Sequence, residues 1–179
     1  MNKKITKVEA QRLYEENIAY IYKASLFLTR SKILAEDISQ EVFVKAFEKY
    51  GTFDQTRSIR PWLYQIMLNL IRSQYKKKKD YIGIDDICEM LSDDYSLVEC
   101  EVVKNEEDKE LWEGINKLSL KLKEVIILHF YLDMKLEEVA KILKIPVGTC
   151  KSRLNAALNK LRNDKGVQEI TYLLGGRSI

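Results

Sequence analysis

The chain has 179 residues, 32% charged and 46% hydrophobic, the balance of a folded globular protein and not of a disordered one. Its longest apolar run, "VIILHFYL" at 125–132, is too short to cross a bilayer, and "MNKKITKVEA" lacks the apolar centre of a signal peptide. The net charge of +3 is strongly segregated: residues 1–80 carry +7, residues 81–110 carry −9 and residues 111–179 carry +5, so two basic blocks suited to a polyanion flank an acidic connector.

Glycine (7) and proline (2) are scarce and apolar spacing is helical throughout, which predicts an all-α fold. A first helix is expected over about 6–30 with Thr6 as N-cap. A second follows over 32–49, between Ser31 and Gly51. After the turn-rich "GTFDQTRS", a third helix starts near Ser58, takes Pro61 in its first turn and runs to about Lys79. The acidic, weakly periodic segment 81–96 reads as a flexible linker, and a second helical domain spans 97–165. The apolar tail 166–179 has no assigned role. Two small helical domains, 1–80 and 97–165, are therefore expected on either side of that linker.

On the second helix Ile38, Val42, Phe43, Ala46 and Tyr50 form the apolar side, and Asp37, Gln40, Glu41 and Glu48 the other. Val44 falls among these acids, where a lone apolar residue suits a protein interface better than open solvent. In "RPWLYQIMLNLIRSQYKKKK", residues 60–79, Leu63, Ile66, Met67, Leu70 and Ile71 are expected in the core. Trp62, Gln65, Asn69, Arg72, Ser73 and Lys76 share an opposite stripe of aromatic, amide and basic groups, a composition that holds unpaired bases while tracking phosphates. Lys76, Lys77, Lys78 and Lys79 add sequence-independent attraction to DNA. Trp62 also fits a core residue at a helix start, and the lysines a solvated helix end complementing the dipole.

Near the C-terminus, "KLEEVAKILKIPVGTCKSRL" reads as two short helices about a turn at Lys144–Ile145–Pro146, because Pro146 cannot continue the first helix but can start the next. Leu136, Val139, Ala140 and Leu143 face inward from the first; Val147, Cys150, Leu154, Leu158 and Leu161 share one arc of the second. The opposite arc holds Thr149, Ser152, Asn155, Ala156, Asn159 and Lys160, flanked by Lys151 and Arg153. Small hydrogen-bonding side chains with basic flanks let a helix lie against base edges while phosphates are held, which is how the second helix of a helix-turn-helix works. A plain antiparallel helix pair is the other reading of this pattern.

No catalytic constellation is expected. There is one histidine, His129, inside an apolar run and best read as a core residue; there is no glycine-rich phosphate loop, and no metal-ligand cluster. Cys88, Cys100 and Cys150 lack CxxC spacing and fit reduced thiols in the cytoplasm. The pairs Asp85–Asp86 and Asp93–Asp94 would suit a magnesium nuclease only on a rigid support, which a linker does not offer. No cofactor, metal or small-molecule substrate is expected.

"LEEVAKILKIPVGTCKSRLNAALNKLR" resembles the region-four helix-turn-helix of bacterial RNA polymerase sigma factors of the extracytoplasmic-function (ECF) group. "AEDISQEVFVKAFEKYGTF", residues 35–53, is similar to their region 2.2, and residues 60–79 to regions 2.3 and 2.4. Two such blocks in the right order are more specific than either alone. The resemblance implies that Asp37, Gln40, Glu41 and Val44 bind the beta-prime coiled coil of core RNA polymerase, with the beta flap as a further contact. It implies a minus-thirty-five element read as duplex by Thr149, Lys151, Ser152, Arg153, Asn155, Ala156 and Lys160. The minus-ten element would be read as single strand, with a base flipped out of the stack. The candidate pocket for that base is the loop 50–60, with Tyr50, Phe53, Arg57 and Arg60 beside Trp62, Gln65, Asn69, Arg72, Lys76 and Lys77. The resemblance further implies promoter melting and control by an anti-sigma factor, membrane-anchored in some members. Ser73, Ser119 and Ala156 stand where the family commonly has Asp, Pro and Arg. A free-standing dimeric regulator, binding a palindrome without polymerase, is the competing class.

The charge segregation generates one expectation of its own. A tethered anionic connector competes with DNA for the two cationic domains at millimolar effective concentration, screened over about 8–10 Å. Replacing Asp85, Asp86, Asp93 and Asp94 with Asn and Ser should raise polymerase-free DNA binding at low ionic strength; an unchanged gel-shift affinity there would make the connector a tether only.

Overall fold

In the computed structural model, residues 5–82 and 113–163 are described, with side chains through Lys77 in the first stretch. These residues form helices and short connections, with no strand among them. The chain divides into two compact units, Met1–Ile87 and Cys88–Ile179. The expected linker, apart from Tyr81 and Ile82, and the expected tail lie outside the described residues, as do the side chains of Lys78 and Lys79.

The first unit contains α1 (Lys7–Thr29), α2 (Lys32–Lys49), a 3-10 turn (Tyr50–Thr52) and α3 (Ile59–Ile82). Helix α1 begins where Thr6 and Glu9 close a capping box: the Glu9 N–H donates to the Thr6 hydroxyl at 3.2 Å, and the Thr6 N–H donates to the Glu9 carboxylate at 2.9 Å. It ends at Arg30, whose left-handed backbone (φ 59°) returns an N–H to the Leu26 carbonyl at 2.8 Å. Ser31 then caps α2 by accepting from the Leu34 N–H at 3.3 Å. The start of α1 and the reversal into α2 are thus set by local chemistry before any packing is considered.

The three helices pack on one another around Leu13, Ile21, Phe27, Ile38, Val42, Phe43, Leu63, Tyr64 and Met67, all buried. Inside α1, Asn17 donates to the Leu13 carbonyl (2.9 Å) and Thr29 to that of Ser25 (2.8 Å). The Tyr75 hydroxyl donates to the Leu28 carbonyl at 3.0 Å and ties α3 to α1 across 47 residues. Two expectations are corrected here. On α3 the buried set is Leu63, Tyr64, Met67, Leu68 and Ile71, while Ile66 and Leu70 are only half-buried. At 100° per residue the core arc is therefore turned by about 60° from the one read in sequence. Tyr50 leaves the α2 arc for the 3-10 turn, where it is half-buried.

The second unit contains α4 (Leu120–Ile126), a π-helical turn (Ile127–Tyr131), α5 (Leu136–Leu143) and α6 (Val147–Asn163), preceded by a helical stretch at 113–116. Helices α4 and α5 both pack on α6. Lys123 and Glu124 are buried on α4, and neither is without a partner. His129 is half-buried and not a full core residue; its Nδ1 donates to the Met134 carbonyl at 2.7 Å and so closes the π-helical turn. Lys144 links α5 to α6 in a left-handed conformation (φ 56°, ψ 46°), and the Pro146 carbonyl accepts the first α6 bond from the Cys150 N–H at 3.0 Å. On α6 the buried arc is Cys150, Leu154, Ala157, Leu158 and Leu161. Val147, expected in that arc, is 37% exposed at the first position of the helix.

The capping box predicts a defined loss. Thr6→Ala leaves the Glu9 N–H without its acceptor and should lower stability by about 1 kcal/mol, measured by urea denaturation of the full chain; Glu9→Ala in the same background should lower it further, because the backbone N–H of residue 6 then loses its acceptor too.

Candidate nucleic-acid interface

The apolar arc of α6 is essentially sealed, so the rotation of the helix is fixed and its other side is presented outward. Thr149, Lys151, Ser152, Asn155, Ala156, Asn159 and Lys160 are all exposed, and Arg153 sits half-buried at the edge. The Ser152 hydroxyl donates to the Gly148 carbonyl at 2.9 Å, so its donor serves the helix and its oxygen is left to accept. Burial pushes the Cys150 thiol above its ordinary pKa, against the opposing pull of Arg153. Lys160 also lines, with Gly114, Lys117, Leu118 and Asn163, a shallow depression at the far end of α6.

The loop after α2 brings three aromatic rings into one row. Tyr50 and Phe53 have centroids 6.3 Å apart, and Phe53 and Trp62 5.1 Å apart with planes 34° from parallel. All three are half-buried, which leaves part of each ring to solvent. Asp54 organises the loop behind them: its carboxylate accepts from the Thr56 hydroxyl (2.7 Å) and N–H (3.1 Å), and pairs with Arg57 at 3.0 Å. The Thr56 hydroxyl, then its N–H, hold the Asp54 carboxyl below the usual carboxylate range, so the loop keeps its anion.

Of the basic residues predicted for this region, Arg57 stays on the loop with Asp54, while Arg60 turns to α1. The Arg60 guanidinium lies 4.1 Å from the Tyr20 ring centroid, and its Nε donates to the Asn17 side chain at 3.4 Å. Tyr20 and Asn17 escape sequence reasoning because a contact between residues 43 apart has no local signal. Tyr20 is itself 45% exposed, so an aromatic–cation pair between α1 and α3 lies at the surface outside the predicted stripe. Along α3, Asn69, Ser73, Lys76 and Lys77 are exposed, and Gln65 and Arg72 half-buried.

On α2, Asp37, Gln40 and Glu48 are exposed, Glu41 is half-buried and paired with Lys45 at 3.3 Å, and Val44 is 55% exposed in their midst. Ile33, 75% exposed, lies on the same side two to three turns upstream and was not singled out by sequence reasoning. Among the described residues no group of three His, Cys, Asp or Glu side chains is placed to hold a metal ion, and no helix is long and apolar enough to cross a membrane.

An all-α chain with a helix-turn-helix whose second helix shows a polar arc, and a separate helical unit with exposed aromatic and basic groups, defines a nucleic-acid-binding protein. Residues 13–81 match the family model for Sigma-70 region 2, and residues 108–161 that for Sigma-70, region 4. The chain is 34% identical over 161 residues to the ECF RNA polymerase sigma factor SigW of Bacillus subtilis, across 82% of this chain and 86% of that one. It is 32% identical over 146 residues to the RNA polymerase sigma factor SigV of the same organism, across 79% and 81%. The chain belongs to the ECF group of RNA polymerase sigma factors. Among solved structures, the sigma factor RpoE of Bartonella quintana, in complex with the anti-sigma factor NepR, shares the fold with a TM-score of 0.74 at 23% identity, over 89% of this chain and 98% of that one. CnrH, in complex with the cytosolic domain of CnrY, does so with a TM-score of 0.63 at 21% identity, over 97% and 92%.

The Arg60–Tyr20 contact gives a direct check on the geometry of the first unit. Tyr20→Leu and Arg60→Gln should be non-additive in stability by about 0.5–1 kcal/mol, the worth of an exposed cation–π pair; strict additivity in a double-mutant cycle would mean the pair does not persist in solution.

Proposed function

We propose that this chain is the promoter-specificity subunit of RNA polymerase for one set of genes, acting in the cytoplasm and without catalytic chemistry of its own. The observation that carries this reading is the division of α6 into a sealed apolar arc and an open polar arc within a helix-turn-helix. A duplex minus-thirty-five element meets Thr149, Ser152, Asn155 and Ala156 at the base edges, with Lys151, Arg153 and Lys160 on the phosphates. The minus-ten strand is taken by the first unit, where the Tyr50–Phe53–Trp62 row stacks on unpaired bases and Asn69, Arg72, Lys76 and Lys77 track the strand. Arg57 on the loop and Arg60 at the start of α3 add positive charge for the strand's phosphates, and Gln65 hydrogen-bonds a base edge.

In this reading residues 1–80 and 97–165 are the two working domains and 81–96 the tether. Core polymerase docks on the Asp37–Gln40–Glu41–Val44 face of α2 through its beta-prime coiled coil, with the beta flap on the second domain. The two similar structures were each obtained with a partner bound, the anti-sigma factor NepR in one and the cytosolic domain of CnrY in the other, and that supports control of this chain by an anti-sigma factor, membrane-anchored or free. Run-off transcription tests the function: a promoter-specific transcript should require both core polymerase and this chain, and binding of a palindrome by the chain alone would favour the dimeric regulator.

Val44 tests the docking face. A glutamate there stays hydrated in the free protein, but a partner covering it must desolvate an unpaired carboxylate, at roughly several kcal/mol. Val44→Glu should weaken core-polymerase binding by that amount in a pull-down titration while its melting temperature holds; wild-type affinity would remove Val44 from the interface.

A further inference from the structure

Gly148 is the second residue of α6, inside an ordinary helical turn. Glycine is a poorer helix former than alanine, because it loses more backbone freedom on folding. A glycine in such a place usually answers a need for room or for a left-handed backbone. Among the described residues neither reason is found. A Cβ built on Gly148 meets no atom within 4 Å beyond its neighbours and its own helix backbone.

At 100° per residue Gly148 falls on the line of Ser152, Asn155 and Asn159, in the middle of the exposed polar arc and opposite the buried one. The room left by the missing side chain therefore opens on the side assigned to DNA. We propose that Gly148 is a positioning residue for promoter recognition: its bare backbone lets the N-terminal end of α6 seat against the minus-thirty-five duplex, so that Ser152 and Asn155 come within hydrogen-bonding reach of base edges. This rests on the reading of α6 given above and adds to it the residue that sets the approach distance. A methyl group projects about 1.5 Å from Cα. A displacement of that size takes hydrogen bonds of about 2.9 Å out of range, while charge attraction to phosphates is nearly unchanged. The loss should therefore fall on sequence-specific binding and spare non-specific binding.

The test uses the full chain bound to core polymerase and a duplex enriched by the wild-type holoenzyme from a randomised library. Gly148→Ala should melt at the same temperature or higher. It should bind the enriched duplex about tenfold more weakly, or about 1.4 kcal/mol at 25 °C, and a scrambled duplex unchanged. Gly148→Leu should lose more. Binding of the enriched duplex within twofold of wild type by both variants would overturn the proposal, as would a lowered melting temperature accompanying the loss. An Asn155→Ala, Arg153→Ala double variant separates the two levels: if it loses the enriched duplex while Gly148→Ala does not, only the positioning role falls; if neither loses it, the assignment of α6 to DNA falls as well.

Discussion

The rotation of each helix about its own axis is the constraint on which the rest of this protein depends. A helix carries side chains all round, and only burial of one arc decides which others are offered to a partner. On α6 that decision is made by Cys150, Leu154, Ala157, Leu158 and Leu161, each at most 3% exposed. On α2 it is made by Ala35, Ile38, Val42, Phe43 and Ala46. These residues touch nothing outside the protein, yet they aim Asn155 and Val44. A rotation of one residue's angle would turn every polar contact away at once.

The energies follow the same division. Truncating a buried leucine such as Leu154 costs about 2–5 kcal/mol, whereas exposed ion pairs such as Arg12–Glu16 contribute about 0–1 kcal/mol. Stability therefore sits in the arcs that are hidden, and the exposed arcs are free to vary without unfolding the chain. That is the physical basis on which proteins of one fold read different DNA sequences. The same separation explains how Ser73 and Ala156 can depart from the common pattern: both are exposed, so no packing resists them.

Helix ends, the turn at Lys144–Ile145–Pro146 and the polar arc of α6 were legible in the sequence because each is a local matter of capping, proline stereochemistry and 100° spacing. The core arc of α3 was read about 60° off. Periodicity alone cannot distinguish Tyr64 from Ile66 as the edge of the buried strip; the neighbours α1 and α2 decide it. The rotation places the Trp62–Gln65–Asn69–Ser73 stripe more nearly opposite the core than the sequence reading does, so the stripe stays at the surface despite the error in the packing behind it. Arg60 shows the converse. Its residue type suggests a nucleic-acid surface, but its position against Tyr20 and Asn17 depends on where α1 lies, and no spacing along the chain records that.

Cys150 gives the second unit a gauge of its own integrity. The thiol lies on the buried side of α6, and burial raises its pKa and so favours the protonated form. A thiol-directed reagent can reach it only when α6 lifts from α4 and α5, so the modification rate at this one residue measures the population in which α6 has come away. Any ligand that clamps α6 in place slows that chemistry in proportion to its occupancy.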